Sequence, residues 1–233
     1  MLLATLMTFM IGSMLGSFIT CMAERLCLNL PLWSLSRSAC PTCHHQLRWW
    51  QLIPILGILI QRGRCWDCHA VINWRSTLIE LVAGVLTMAV GINPSPNLLL
   101  LLFCYIILLF NSLTDYLTLN IYPATIIGPL LLGWWLQPPT WDGPFYLVIG
   151  LIIILYLIAK FTNRLGSGDI DILLMLSAVA SPALVIGSLT LAAIAALVIL
   201  ILRRKRAPIP FVPFMTWSFI LCTQLNQTGI SVF

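Results

Sequence analysis

Polar residues are so widely spaced along this chain that the apolar runs between them define its elements. Runs of helical length occupy residues 1–21, 77–92, 97–114, 119–136, 145–161 and 209–225, each near the roughly 20 residues that an α-helix needs to cross a bilayer. The run at 170–202 is different. As one helix it would reach roughly 50 Å at 1.5 Å per residue, against a hydrocarbon core of about 30 Å. Ser181-Pro182 is its natural break, because a proline pushes the preceding residue out of the helical region. The pattern predicts an all-α polytopic membrane protein with about eight transmembrane helices, with a turn at Asn93-Pro94-Ser95-Pro96 after the second. One polar segment of any size interrupts it. The expected organisation is a first transmembrane helix (1–22), a small extramembrane module (23–76) and a larger transmembrane domain (77–233).

Composition agrees: 60% of the 233 residues are hydrophobic and 8% are charged, where soluble domains carry roughly 25% charged residues. The net charge of +5 invites a nucleic-acid reading until the basic positions are placed. Arg25, Arg37, Arg48, Arg62, Arg64 and Arg75 share one loop, Lys160 and Arg164 a second, and Arg203, Arg204, Lys205 and Arg206 a third. By the positive-inside rule these three loops face the cytoplasm, and the last cluster is a topology anchor at lipid headgroups; no nucleic-acid partner is expected. The first apolar run has no basic residue ahead of it and is followed by Glu24 and Arg25, the reverse of a secretory signal, so it reads as an uncleaved span. Gly12, Ser13, Gly16 and Ser17 give it a small-residue face for close helix packing. Glu80, near the cytoplasmic end of the second span, is expected to pair with a loop arginine.

The module carries Cys40-Pro41-Thr42-Cys43 and Cys65-Trp66-Asp67-Cys68. Two C-x-x-C pairs at this separation match a tetrahedral zinc site of four thiolates, and a metal cross-link supplies folding energy that so small a core does not. Disulfides are the alternative, set against the reducing compartment in which the arginines place the loop. His44, His45 and His69 adjoin the pairs and could substitute as ligands, though four thiolates already fill the shell; Cys21, Cys27, Cys104 and Cys222 lie outside any C-x-x-C motif and read as packing residues.

A polar island, Arg164-Leu165-Gly166-Ser167-Gly168-Asp169-Ile170-Asp171, separates two apolar runs. A carboxylate at the edge of a membrane helix must keep water or a partner, which makes it a functional candidate; Gly166 and Gly168 let the backbone bend or be approached closely. Asp169 capping the following helix is the plainer reading. The predicted topology puts Asp115, at the end of the third span, at a similar depth. If the two meet they form a dyad that shares a proton; otherwise they are unrelated capping or ion-pairing groups. Helix polarity favours negative charge on Asp169, near a helix N-terminus, and disfavours it on Asp115, near a C-terminus. Asp171 points about 200° away from Asp169 around a helix and is the weaker candidate.

Taken together, the motifs resemble those of bacterial type IV prepilin peptidases, the membrane aspartyl peptidases with a GxGD motif. They comprise Gly16-Ser17-Phe18 with Glu24-Arg25-Leu26, Arg37-Ser38-Ala39-Cys40-Pro41-Thr42-Cys43, Ile53-Pro54-Ile55-Leu56, Arg62-Gly63-Arg64-Cys65 with Cys68, Ile72-Asn73-Trp74-Arg75 with Leu78-Ile79-Glu80, Asp115 before Pro123, and Gly166-Ser167-Gly168-Asp169. The resemblance implies a protein of the bacterial cytoplasmic membrane that removes a basic leader peptide from prepilins or pseudopilins, after a glycine, with Asp115 and Asp169 as the catalytic pair. It also implies N-methylation of the new amino terminus from S-adenosylmethionine. The chain departs from the family pattern at Tyr122-Pro123-Ala124, where Ile-Pro-Asp is common. A zinc-bearing scaffold or a transporter whose carboxylates handle protons is the non-enzymatic alternative.

Overall fold

The computed structural model describes residues 2–30, 37–92, 97–162, 166–203 and 208–228. The expected turn at Asn93-Pro94-Ser95-Pro96, together with Arg164, Arg204, Lys205 and Arg206, lies outside them. The chain forms two compact units, Met1–Ile92 and Asn93–Phe233.

In the first unit, α1 (Leu2–Cys27) packs along α3 (Trp74–Ile92). The pairing is antiparallel, with Thr8 opposite Gly91 and Gly16 opposite Glu80, and it is close because the facing positions are small. A Cβ on Gly12 would stand 2.6 Å from the Ala83 carbonyl oxygen, and one on Gly16 would stand 2.9 Å from Ala83 Cβ. Thr87 Oγ1 donates to the Thr8 carbonyl at 3.0 Å, so a polar side chain in the apolar pair is satisfied across it. Between the two helices run a 3₁₀ turn (Trp49–Leu52), the short α2 (Leu56–Ile60) and two isolated β-bridges, Ala39 with Gln46 and Arg64 with Val71.

The second unit comprises α4 (Leu98–Thr118), α5 (Pro123–Leu136), α6 (Gly143–Thr162), α7 (Ser167–Val179), α8 (Pro182–Arg203) and α9 (Val212–Gln227). Its core lies between α4, α7 and α9, where Leu108, Ile172, Met175, Leu176, Met215 and Phe219 are fully buried. Each of α5, α8 and α9 has a proline in its first turn, where the missing N–H costs nothing. The long apolar run breaks as expected: Ala180 is extended and Pro182 opens α8.

The expected count of eight spans is not confirmed. Eight helices of 13 residues or more stand among the described residues, and five of them are long and apolar enough to cross a membrane: α1, α3, α4, α6 and α8. The others have 14, 13 and 16 residues in α5, α7 and α9. The prolines that start α5 and α9, and the break that ends α7, cut these helices below the length that a hydrocarbon core of about 30 Å requires.

Gly12→Val is expected to lower the stability of the first unit by about 1–3 kcal/mol, the usual range for overpacking. Gly150→Val, at a position with no atoms within 4 Å of a built Cβ, is the matched control and should leave it unchanged. Thermal unfolding of the purified chain distinguishes the two.

Candidate functional site

The four module cysteines converge. Their sulfur atoms all lie within 4.8 Å of one another, with Cys40 Sγ and Cys68 Sγ 3.8 Å apart. That is the edge, about 3.8 Å, of a tetrahedron with Zn–S bonds of about 2.3 Å. The two pairs are built alike. In each, the first cysteine's N–H bonds the residue five positions on, Cys40 to the His45 carbonyl at 2.9 Å and Cys65 to the Ala70 carbonyl at 2.8 Å. The residue after each second cysteine closes a left-handed turn, His44 and His69 both at φ 58°. Those histidines shape the knuckles, and the four thiol groups are the cluster that could hold a metal. The amide N–H groups of Cys43 and Thr42 point at Cys40 Sγ and hold its thiol down to about 6, which favours the thiolate a soft metal needs. Asp67 ties the knuckles together through His45 Nε2 and Arg48 Nη2, each at 3.8 Å, beside an edge-to-face contact of Trp50 and Trp66.

Glu80 is buried in α3, and its Oε2 accepts the N–H of Ile55 at 2.8 Å. The partner the structure gives this carboxylate is a backbone amide. Ile55 sits at φ 63°, a left-handed conformation unfavourable to a β-branched residue, and its N–H would have no helical partner there.

In the second unit, Asp115 is buried near the end of α4 and Asp169 is half-buried in the first turn of α7. α4 and α7 are in contact, which sets the helix carrying Asp115 against the one carrying Asp169. Asp171 is also half-buried. Asp169 does not cap α7: Gly166 occupies that position and no side chain caps it. Gly168 is helical, so its role is not to unwind the chain. A Cβ there would stand 2.5 Å from Ile121 Cδ1, and the missing side chain is what lets the α4–α5 turn press against α7 beside Asp169. A Cβ on Gly166 would meet Asp169 Oδ2 at 3.2 Å.

That turn is held by a residue absent from the sequence reading. Asn111, fully buried one helical turn before Asp115, accepts the Tyr122 N–H at 3.1 Å and donates to Thr125 Oγ1 at 2.8 Å and to the Ile107 carbonyl at 2.9 Å. An asparagine within a strongly apolar helix was the available signal. Leu119, at φ 57°, begins the turn. A second unforeseen partner is Val212, whose N–H donates to Asp115 Oδ2 at 3.0 Å. Asp115 therefore faces the N-terminus of α9 as well as ending α4, and the helix-polarity argument that set it apart from Asp169 no longer separates them.

A family model described as Bacterial Peptidase A24 N-terminal domain matches residues 10–93. A prepilin leader peptidase/N-methyltransferase from Stutzerimonas stutzeri is 28% identical over 205 residues, covering 78% of this chain and 69% of the relative. One from Aeromonas salmonicida is 30% identical over 200 residues, 77% of this chain and 68% of the relative. One from Burkholderia pseudomallei is 32% identical over 200 residues, 77% and 64% respectively. No solved structure matches.

Gly168→Ala is expected to push α7 off the α4–α5 turn and lower the stability of the second unit by about 1–3 kcal/mol, read by thermal unfolding of the purified chain. Ile121→Ala in the same chain removes part of the obstruction and should recover part of the loss.

Proposed function

The chain belongs to the prepilin leader peptidase/N-methyltransferase family, and from that premise we propose that it is a membrane-embedded aspartyl endopeptidase that removes the basic leader peptide from type IV prepilins or pseudopilins at the cytoplasmic membrane face. Asp115 and Asp169 are its catalytic residues. The observation that supports this reading is the packing of α4, whose last turn carries the buried Asp115, against α7, whose first turn carries Asp169.

Like charges held close share one proton, which gives the pair an acid and a base at the same pH. The ionised carboxylate takes a proton from water as the water oxygen attacks the scissile carbonyl carbon, while the protonated partner donates to the carbonyl oxygen. In the collapse of the tetrahedral intermediate the first carboxyl group gives its proton to the leaving amine, and the second recovers one from the intermediate's hydroxyl. Gly166 and Gly168 support the motif, the first leaving space beside the Asp169 carboxylate and the second setting the fit of α7 against the turn. The distribution of arginine and lysine supports a multi-pass protein of the bacterial inner membrane, with the module and the carboxylate pair toward the cytoplasm. The domain division at 1–22, 23–76 and 77–233 belongs to the same reading.

Cys40, Cys43, Cys65 and Cys68 hold a structural zinc ion in this proposal, as a cross-link that orders a module with little core of its own. The relatives' second activity calls for S-adenosylmethionine as methyl donor. A cavity of about 400 Å³ beside the module, lined among others by Thr20, Glu24, Asn73, Ser76 and Glu80, offers both the room and the carboxylates suited to a cationic sulfonium.

Co-expression with a prepilin tests the peptidase directly. Asp115→Asn and Asp169→Asn should each reduce leader removal by about 10³-fold or more, as loss of one member of a catalytic unit does, without loss of folded protein. Unchanged processing in both variants would discard the pair. Elemental analysis of the purified chain should find one zinc per chain, lost in Cys40→Ser with Cys65→Ser, and mass spectrometry of the product's amino terminus reads methylation.

A further inference from the structure

The outer surface of the module near α2 is not the surface of a water-soluble loop. Trp49 is 78% exposed and Leu59 55%, and Leu52, Leu56 and Ile60 are each about half exposed. These side chains lie on one short segment, and contiguous apolar exposure of this kind marks contact with something apolar.

The segment is a closed and ordered loop. Its entry and exit are tied by Gln51 Nε2 donating to Gln61 Oε1 at 2.9 Å, with both side chains buried. Gln51 Oε1 also receives the Arg48 N–H at 2.7 Å, and Gln61 Nε2 donates to the Gly57 carbonyl at 2.9 Å. The exit turns through Arg62 at φ 51° and Gly63 at φ 73°, with the Gly63 N–H on the Ile58 carbonyl at 2.9 Å.

Its depth is fixed by what it touches. The tip, Ile55, bonds Glu80, which lies six residues into α3, about 9 Å along a helix axis. Glu80 stands opposite Gly16, eleven residues from the end of α1, about 16 Å. Trp49, Leu52, Ile53 and Pro54 form a groove with Met14 and Phe18, which are themselves exposed on the face that α1 turns away from α3. The loop therefore stands level with helical positions inside two candidate membrane spans, Leu3–Cys27 and Trp74–Ile92.

We propose that residues 49–60 are a re-entrant segment whose apolar side chains insert among the lipid acyl chains of the leaflet next to the module. Irregular backbone at membrane depth is tolerated only where its polar groups are satisfied within the protein, and the Glu80 bond to Ile55, the glutamine pair and the turn hydrogen bonds do this. Amphipathic segments of this type lie about 5–10 Å into the interface, which matches a tip two helical turns in. Arg48, Arg62 and Arg64 at the base of the loop suit anionic headgroups, and the exposed Trp49 and Trp74 suit the interfacial belt. Lipid is the occupant because the loop's apolar surface continues that of α1, already at the depth of the hydrocarbon.

The test uses the full chain in bilayers of phosphatidylethanolamine and phosphatidylglycerol, containing a trace of lipid with a photoactivated diazirine on the acyl chain or, separately, on the headgroup. Peptide mapping should find acyl-chain adducts on residues 52–60, as on α1, and headgroup adducts around Arg48, Arg62 and Arg64, with no acyl-chain adducts on His44 or His45. Acyl adducts on Met14 and Phe18 without any on 52–60 would overturn the proposal; cross-links from 52–60 to a second copy of the chain, or to a co-reconstituted prepilin helix, would overturn it in favour of that occupant. Leu59→Lys with Ile60→Lys should reduce acyl labelling of the segment severalfold while the zinc content stays at the wild-type value, and unchanged labelling would also count against insertion.

Discussion

A polar group inside an apolar helix has to find its partner within the protein, because lipid offers none. This constraint shapes both units. In the second, the Asn111 side chain reaches out of α4 to the Tyr122 N–H and Thr125, and so holds the turn that carries Ile121. Ile121 in turn occupies the space left by the missing side chain of Gly168. The position of α7, and with it Asp169, thus depends on a contact made by a single amide group one turn from Asp115. In the first unit Glu80 does comparable work, supplying an acceptor to the one backbone N–H that the left-handed Ile55 takes out of any ladder.

Much of this was legible beforehand, and for identifiable reasons. Apolar runs and prolines locate helices, so every long helix appears where hydropathy puts it, including the break before Pro182. Small residues at Gly12 and Gly16 announce a tight helix pair. Two C-x-x-C pairs announce convergent sulfurs, since each pair must fold into a tight turn to point both thiols one way. What was not legible depends on contacts between residues far apart in sequence. Nothing local marks the Val212 N–H as the donor to Asp115, and nothing local says that Glu80 accepts the Ile55 amide. Hydropathy registers apolar length without seeing how much of it a proline or an extended residue removes from the helix, which is why α5, α7 and α9 are shorter than the apolar runs that contain them.

The cysteine module shows how little core a small domain needs when other links are present. Its two knuckles repeat the same hydrogen bonds and the same left-handed histidine, and are joined by Asp67, by the tryptophan pair and by the sulfur cluster. Hydrogen bonds, ion pairs and the converging thiols carry the organisation there, while most of the large apolar residues of the same segment remain on its surface. A hydrophobic count taken from sequence alone assigns those residues to an interior that the module does not have.

The shortness of α7 has a physical outcome for its independence from the bilayer. Thirteen residues reach about 20 Å, well under a hydrocarbon layer of about 30 Å, and the helix is enclosed by α4, α5, α6 and α8, with no residue from Gly168 to Val179 exposed. A helix walled off from lipid need not match the thickness around it. Where Asp169 stands is thus set by protein neighbours, and lipids of different chain length should leave it in place.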